Sequence, residues 1–401
     1  MSVHIVIGKG FGDEGKGLVT DRIARQAATT GKRCVAVRHN GGAQAGHTVD
    51  RSNDRFVFHQ LSAASLQGGA TFWASPFLPD LYKLSEETAD FEQLYGCLPT
   101  IYAHGDCRCV VIDDVLLNMA LETSRGDQRH GSCGMGINEA VERSRQKAFC
   151  LPLKEVAAHS AESLYHELRR IRWAYVPQRM EELSLSWQVM GEYGELLQND
   201  NVLYNAAKGM QRSLSCLTLT DDTVLQRFDE VIFEGAQGLL LDACYERYAP
   251  HLTSSRTGIG YPLALAHAVC SEQAVRAIYV TRSYVTRHGR GPLPYEADFP
   301  HDRYRITDRT NQPNPWQEHL RLAVHGTTED FLAPIREDIA GVTAPPLYLA
   351  VTHLNETEGH LLTANGALPL TVWSQVYCPE SLFEGLYLSY HATERVLLRY
   401  R

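Results

Sequence analysis

An acid and a lysine share a glycine-rich loop near the start of this chain: Gly8-Lys9-Gly10-Phe11-Gly12-Asp13-Glu14-Gly15-Lys16-Gly17. A strand-like apolar run, 3–7, leads into it and a helix-like run, 18–28, leads out. A strand, a glycine turn and a helix N-terminus together cradle phosphate. Glycines let backbone N–H groups crowd an anion, and the helix dipole favours negative charge. From Gly10 the spacing fits G-x-x-x-x-G-K, with Gly17 standing where a P-loop carries the Ser or Thr that holds magnesium. Without that hydroxyl another metal ligand is needed, and Asp13 is inside the loop to supply it. Gly12, Gly15, Lys16 and Gly17 therefore read as a phosphate site, with Asp13 as an acid and metal ligand beside the reacting phosphorus.

A second segment, Arg38-His39-Asn40-Gly41-Gly42-Ala43-Gln44-Ala45-Gly46-His47-Thr48, follows another strand-like run. A third runs from Glu234-Gly235-Ala236-Gln237-Gly238 to Asp242, and is followed by Thr253-Ser254-Ser255 and Arg287-His288-Gly289-Arg290-Gly291-Pro292. In order and spacing, from residue 8 to about residue 360, these resemble the signatures of the adenylosuccinate synthetase family. The resemblance implies a ligase that uses a nucleoside triphosphate to join an amino acid, in the family aspartate, to an IMP-like 6-oxo purine nucleotide. That conversion has a leaving-group problem, because the carbonyl oxygen leaves poorly. The chemical solution is to remove the N1 proton, let O6 attack the γ-phosphorus, and displace phosphate with the amine. A base, a metal on the phosphates and a donor to the charged oxygens are required.

By resemblance Asp13 is the base and a Mg2+ ligand, His47 the acid, and the Gly46 carbonyl a second ligand. Lys16 and the N–H groups of Gly15 and Gly17 hold the donor's phosphates, and Gln237 bonds the 6-oxyanion. The acceptor nucleotide falls to Gln44, Ser132, Cys133 and Thr253, together with an arginine, Arg143 or Arg145, lent across a homodimer interface. Gln44 stands where the family has an asparagine, and Cys133 has lost a hydroxyl.

Two departures bear on substrates. The family reads guanine with the aspartate of T-K-L-D; here the run is Thr352-His353-Leu354-Asn355. An amide would set a donor against guanine's donors, at about 1–3 kcal/mol for an unsatisfied group, whereas it complements adenine. The family's S-T-G-P wall has only Ser389-Tyr390-His391-Ala392 as a counterpart, so the donor is GTP or ATP, with ATP preferred. The aspartate loop keeps Thr307 and Trp316 by position and one arginine, Arg309, which leaves the amine open between aspartate and another. Two further readings stand beside the ligase: a divergent paralogue in specialised metabolism, and a nucleotide-binding protein that has lost catalysis. Retained Asp13 and His47 speak against the latter. Gly17 and the 41–48 run speak against a P-loop kinase or GTPase.

To bring these groups together the chain needs strands ending at each motif. The apolar runs 3–8, 34–38, 56–60, 110–113, 231–234, 277–281 and 347–351 predict strands. The stretches 16–28, 81–93, 115–122, 153–170, 187–198 and 261–268 predict helices. The alternation predicts an α/β fold with a mostly parallel central sheet flanked by helices, carrying the phosphate loop at a strand's carboxyl end. One catalytic unit, 1–401, is expected, with a helical insertion at about 158–230 and a substrate loop at about 296–316. A net charge of -9 without a basic block argues against nucleic-acid binding. Ten cysteines without a C-x-x-C pair suit reduced thiols in a cytoplasmic enzyme. No run approaches the ~20 apolar residues of a membrane span, and no secretion signal is seen.

Overall fold

A computed structural model describes residues 1–51, 54–126, 131–269, 274–306, 319–391 and 397–400. Its strands are, in chain order, β1 (Ser2–Gly8), β2 (Cys34–Arg38), β3 (His47–Asp50), β4 (Arg55–Phe58), β5 (Ala70–Trp73), β6 (Ile101–His104), β7 (Thr218–Thr220) and β8 (Glu230–Gly238). They continue with β9 (Ala274–Arg282), β10 (Val285–Arg287), β11 (Arg321–Ala323), β12 (Leu347–Thr352), β13 (Leu361–Thr363), β14 (Gly366–Leu368), β15 (Gly385–Ser389) and β16 (Leu397–Arg399).

Ten of these form one sheet in the order β16-β15-β12-β9-β1-β8-β2-β5-β6-β7. All neighbours are parallel except the edge strand β16, which runs antiparallel to β15. Strand β1 lies in the interior and is apolar on both sides, as a covered parallel strand must be. Val3, Ile5 and Ile7 enter a core with Leu263 and Ala266 of the helix Gly260–Val269. Val6 joins Val19, Ala24 and Ala27 of the helix Lys16–Thr29 in a second cluster. The chain winds outward from β1 through β2, β5, β6 and β7, returns as β8, and then builds β9, β12 and β15 on the other side. Such a reversal of winding opens a crevice at the strands' carboxyl ends. The loops after β1, β2, β8, β9 and β12 all deliver their motifs there.

The structure departs from the sequence reading in several elements. Residues 110–113 are not a strand. The helix Ile112–Arg125 begins inside them, with the Val111 N–H donating to Asp114 Oδ2 at 3.0 Å. Asp113 and Asp114 lie in the first turn, where the helix dipole favours acids. The run 56–60 yields β4, which pairs only with β3 in a separate hairpin. The stretch 153–170 divides into Leu153–Ala158 and Ala161–Glu182, because Ser160 caps the second helix by accepting from Ser163 N at 3.1 Å. The stretch 187–198 breaks at Gly191, φ +52.

Arg143 is fully buried on the helix Ile137–Arg145. Its Nε and Nη2 donate to the two carboxylate oxygens of Asp114 at 2.9 Å each, and Nη1 and Nη2 also donate to the carbonyls of Phe149 (2.6 Å) and Cys109 (2.7 Å). That network leaves Arg143 no reach toward a second subunit, whereas the Arg145 side chain is 68% exposed and pairs only with Glu142 among the described residues. Arg143→Met should leave a buried carboxylate uncompensated and lower unfolding free energy by about 3–5 kcal/mol in urea titration. Arg145→Met should leave it within about 0.5 kcal/mol.

Candidate functional site

A cavity of about 640 Å³ opens at the carboxyl edge of the sheet. Asp13, Gly15, Lys16 and Gly17 form one wall, Gly46 and His47 another, and Arg282, Thr352, His353, Asn355 and Glu356 close it. The two residues expected to act on the phosphoryl group thus share one space. Arg55, Arg305 and His391 also line it.

The phosphate loop is held from beneath by Glu14. Its buried carboxylate accepts from Gly10 N (3.0 Å) and Gly12 N (2.8 Å) and pairs with Lys16 Nζ at 2.6 Å. Gly15 adopts φ +91, and a Cβ there would meet Thr352 Cγ2 at 3.2 Å. A Cβ on Gly17 would meet His47 Cβ at 3.1 Å and its main chain at 3.5 Å, a tight approach of the loop to the start of β3.

Asp13 has φ +58, uncommon for a residue with a side chain. Its carbonyl accepts from Arg282 Nε at 2.5 Å, and Oδ2 lies 2.7 Å from His288 Nε2. Burial pushes its carboxyl upward, but the contact with His288 and the charges of Arg282 and Lys16 outweigh it and hold the pKa at about 2. Asp13 is ionised at neutral pH.

His47 opens β3, and its Nδ1 meets two partners, Glu234 Oε1 at 2.7 Å and Arg38 Nη1 at 2.8 Å. Burial and Arg38 lower its pKa to about 4 against the opposing pull of Glu234. Arg38 and Glu234 are themselves fully buried, 3.7 Å apart, and Arg38 donates to the His59 carbonyl at 3.0 Å. Neither partner was singled out from sequence, although both begin the motifs that were. An ionisable residue directly after a short apolar run, 35–37 or 231–233, was the available signal.

Gln44, Ser132, Cys133, Gln237 and Thr253, expected from sequence near the acceptor nucleotide, are not in the wall of this cavity. Gln237, at φ +61 near the end of β8, has its Oε1 buried without a hydrogen-bond partner. Both amide atoms of Gln44 are in the same condition. Each buried unpaired group costs about 1–3 kcal/mol, a cost that ligand sites carry until filled. A Cβ on Gly41 would meet Gln44 Nε2 at 2.8 Å and Ala236 Cβ at 3.0 Å, so the second and third motifs close on each other. Asn40 clamps them, donating to Ala236 O at 3.1 Å and accepting from Ala236 N at 2.8 Å. The 253–255 run joins them, since Gly41 N donates to Ser255 Oγ at 3.1 Å and Thr253 N donates to Leu241 O at 2.8 Å.

Ser132 Oγ donates to Asn118 Oδ1 at 2.9 Å, and its N–H, like that of Gly131, is taken by Glu122 Oε2. Cys133 is half-buried in the same loop. Asn355 is exposed to the cavity, whereas Ser389 is buried and donates to the His391 carbonyl at 2.8 Å. Thr307 and Arg309 lie outside the described residues. Arg287, a further candidate for the amine's carboxylates, is instead buried over the Phe11 ring at 4.4 Å and donates to the Pro292 and His251 carbonyls.

Among the described residues no group of three or more His, Cys, Asp or Glu side chains could hold a metal by itself. No described helix is long and apolar enough to cross a membrane.

A family model described as adenylosuccinate synthetase matches residues 5–321. The chain belongs to the adenylosuccinate synthetase family. It is 28% identical over 306 residues to the adenylosuccinate synthetase of Ectopseudomonas mendocina, covering 73% of this chain and 64% of that one. With that of Clostridium botulinum it shares 29% over 311 residues, 74% of this chain and 66% of the other. The match therefore spans somewhat under two thirds of these curated relatives. The fold resembles that of a fully ligated adenylosuccinate synthetase from Plasmodium falciparum, with TM-score 0.62, 18% identity and coverage of 88% and 77%. It equally resembles the succinoaminodeoxyadenylate synthetase of cyanophage S-2L, solved with dGMP and with dATP as an energy donor. That likeness has TM-score 0.62 and 13% identity, over 99% of this chain and 95% of the other. Both likenesses, at such identities, speak to the fold.

Proposed function

We propose that this chain is a ligase that couples triphosphate cleavage to C–N bond formation between an amino acid and a 6-oxo purine nucleotide. The observation that carries it is the convergence of Asp13 and His47 on one cavity beside the phosphate loop. Asp13 takes the N1 proton. O6 then bonds to the γ-phosphorus as the bond to the leaving diphosphate breaks. Lys16 and the N–H groups of Gly15 and Gly17 hold the donor's phosphates, and the Gln237 amide meets the 6-oxyanion. His47 gives a hydrogen bond or proton to the phosphoryl oxygens. The amine then attacks C6, loses a proton and expels inorganic phosphate. Magnesium suits the Asp13 carboxylate and the Gly46 carbonyl, hard oxygens beside the loop, and would neutralise phosphate charge there.

The family's usual amine is aspartate, and Arg282 and Arg305, two of the three arginines lining the cavity, are the candidates to meet its carboxylates. A single catalytic unit acting as a homodimer, with Arg145 as the lent arginine, completes the reading. A panel of triphosphates, purine monophosphates and amino acids tests it, scored by phosphate release and by the mass of the ligated product. Absence of any ligated mass across the panel would reject the ligase.

A finer reading concerns the donor. Asn355 lines the cavity with an amide where an aspartate would complement guanine, so an adenine nucleotide is the better partner. The cyanophage neighbour's dATP donor is compatible with this fold serving such a nucleotide. The expected kcat/KM favours ATP over GTP by about ten- to a hundredfold, and Asn355→Asp should shrink or invert that ratio. Equal rates, or a GTP preference, in the unaltered protein would remove this reading.

A further inference from the structure

The residue closest to the Asp13 carboxylate comes from neither of the first two motifs. His288 follows β10, and its Nε2 lies at ion-pair distance, 2.7 Å, from Asp13 Oδ2 without the alignment of a hydrogen bond, with the two side chains 20% and 23% exposed. Among the described residues no side chain pairs with Oδ1. The backbone of Asp13 sits at φ +58 and is tied through its carbonyl to Arg282, the last residue of β9. Thus one strand-turn-strand unit grips both the main chain and one carboxylate oxygen of a residue in an unfavourable conformation. A side chain so placed would otherwise swing among rotamers at the cost of its aim.

The same turn abuts the loop before the helix Ile137–Arg145. A Cβ on Gly131 would meet Gly289 Cα at 2.8 Å and Arg290 N at 2.9 Å, and a Cβ on Gly289 would meet the Gly131 carbonyl oxygen at 3.0 Å. The two backbones touch with no room for side chains between them. The loop holding Ser132 and Cys133 is therefore in contact, through Gly289, with the residue that meets Asp13.

We infer that His288 is a positioning residue for Asp13: it fixes Oδ2, reserves Oδ1 for the acceptor base, and registers the carboxylate against the acceptor-side loop. This rests on the ligase reading above. His288→Val should lower kcat by roughly ten- to a hundredfold, the effect of losing one charge-assisted contact. The dissociation constant of a non-hydrolysable triphosphate analogue should stay within about threefold, since the Lys16 cradle is untouched. His288→Gln, whose amide N–H can reach the same oxygen, should recover most of the rate.

Unchanged kcat in His288→Val, or equal losses in the Val and Gln variants, would overturn the inference while leaving the ligase standing. Should the unaltered protein give no ligated product at all, the ligase reading fails by itself. The contact is then tested by melting temperatures of His288→Val, Asp13→Asn and the double variant. Coupled residues give non-additive shifts, and additive ones would overturn the proposed grip.

Discussion

Asp13→Asn is expected to abolish ligation, lowering kcat by ~10³-fold or more, while the triphosphate analogue binds within about threefold of normal affinity. The amide keeps the shape of the carboxylate but cannot take the N1 proton, and it gives a metal one neutral oxygen in place of an anion. Binding survives because the groups assigned to the phosphates are Lys16 and the Gly15 and Gly17 N–H groups, on a loop that Glu14 holds in shape without the Asp13 side chain. Rapid-quench measurement of phosphoryl transfer and calorimetric titration of the analogue separate the two quantities. Turnover near the normal rate would remove Asp13 from the base role. Weakened analogue binding with unchanged kcat would assign it to the donor instead.

His47→Asn is the second large effect, expected at about 10²–10⁴ in kcat. Its structural logic lies in Nδ1, where Glu234 and Arg38 both make contact and leave Nε2 as the ring nitrogen free of both. Arg38 opposes a positive ring and Glu234 supports one, and burial adds to the opposition, so the resting imidazole is neutral at pH 7. As negative charge builds on the phosphoryl group, Glu234 is the side chain poised to offset a proton on the ring. Glu234→Gln should therefore depress kcat by roughly tenfold or more with little change in triphosphate affinity. It should be milder than His47→Asn, because the ring itself remains. If Glu234→Gln proved more damaging than loss of the histidine, with a matching fall in melting temperature, the carboxylate would be a folding element rather than support for the acid.

Much of this arrangement was legible before the fold was known. Glycines, an acid and a lysine at fixed spacing marked the loop between β1 and the helix Lys16–Thr29, and the strand before them is apolar on both faces because helices cover it. The sheet's shorter strands were harder to see. Ala70–Trp73 and Ile101–His104 have four residues each, too few for any period to stand out. The run 110–113 opens with three apolar β-branched residues, yet Asp114 just after it accepts from the Val111 N–H and caps a helix, and local capping outweighed strand propensity. At the site, the residues assigned to phosphate are marked by their spacing, whereas the residues that support them show no such role in the spacing alone. Glu234 and His288 stand within the motif segments, but their partners His47 and Asp13 lie far away in sequence, so three-dimensional proximity is what shows the pairing. Arg143 illustrates the reverse: its position in a run of arginines suggested a lent cation, and burial against Asp114 gives it a structural role instead.

The neighbours of β1 carry a consequence for biogenesis. Both β8 and β9 are translated long after it, so the first strand has no adjacent partner while most of the polypeptide is still being made. Such long-range closure is slow and leaves apolar segments uncovered in nascent intermediates. Until Glu230–Gly238 leaves the ribosome, His47 lacks the carboxylate that meets its Nδ1, and the crevice can assemble only late in synthesis.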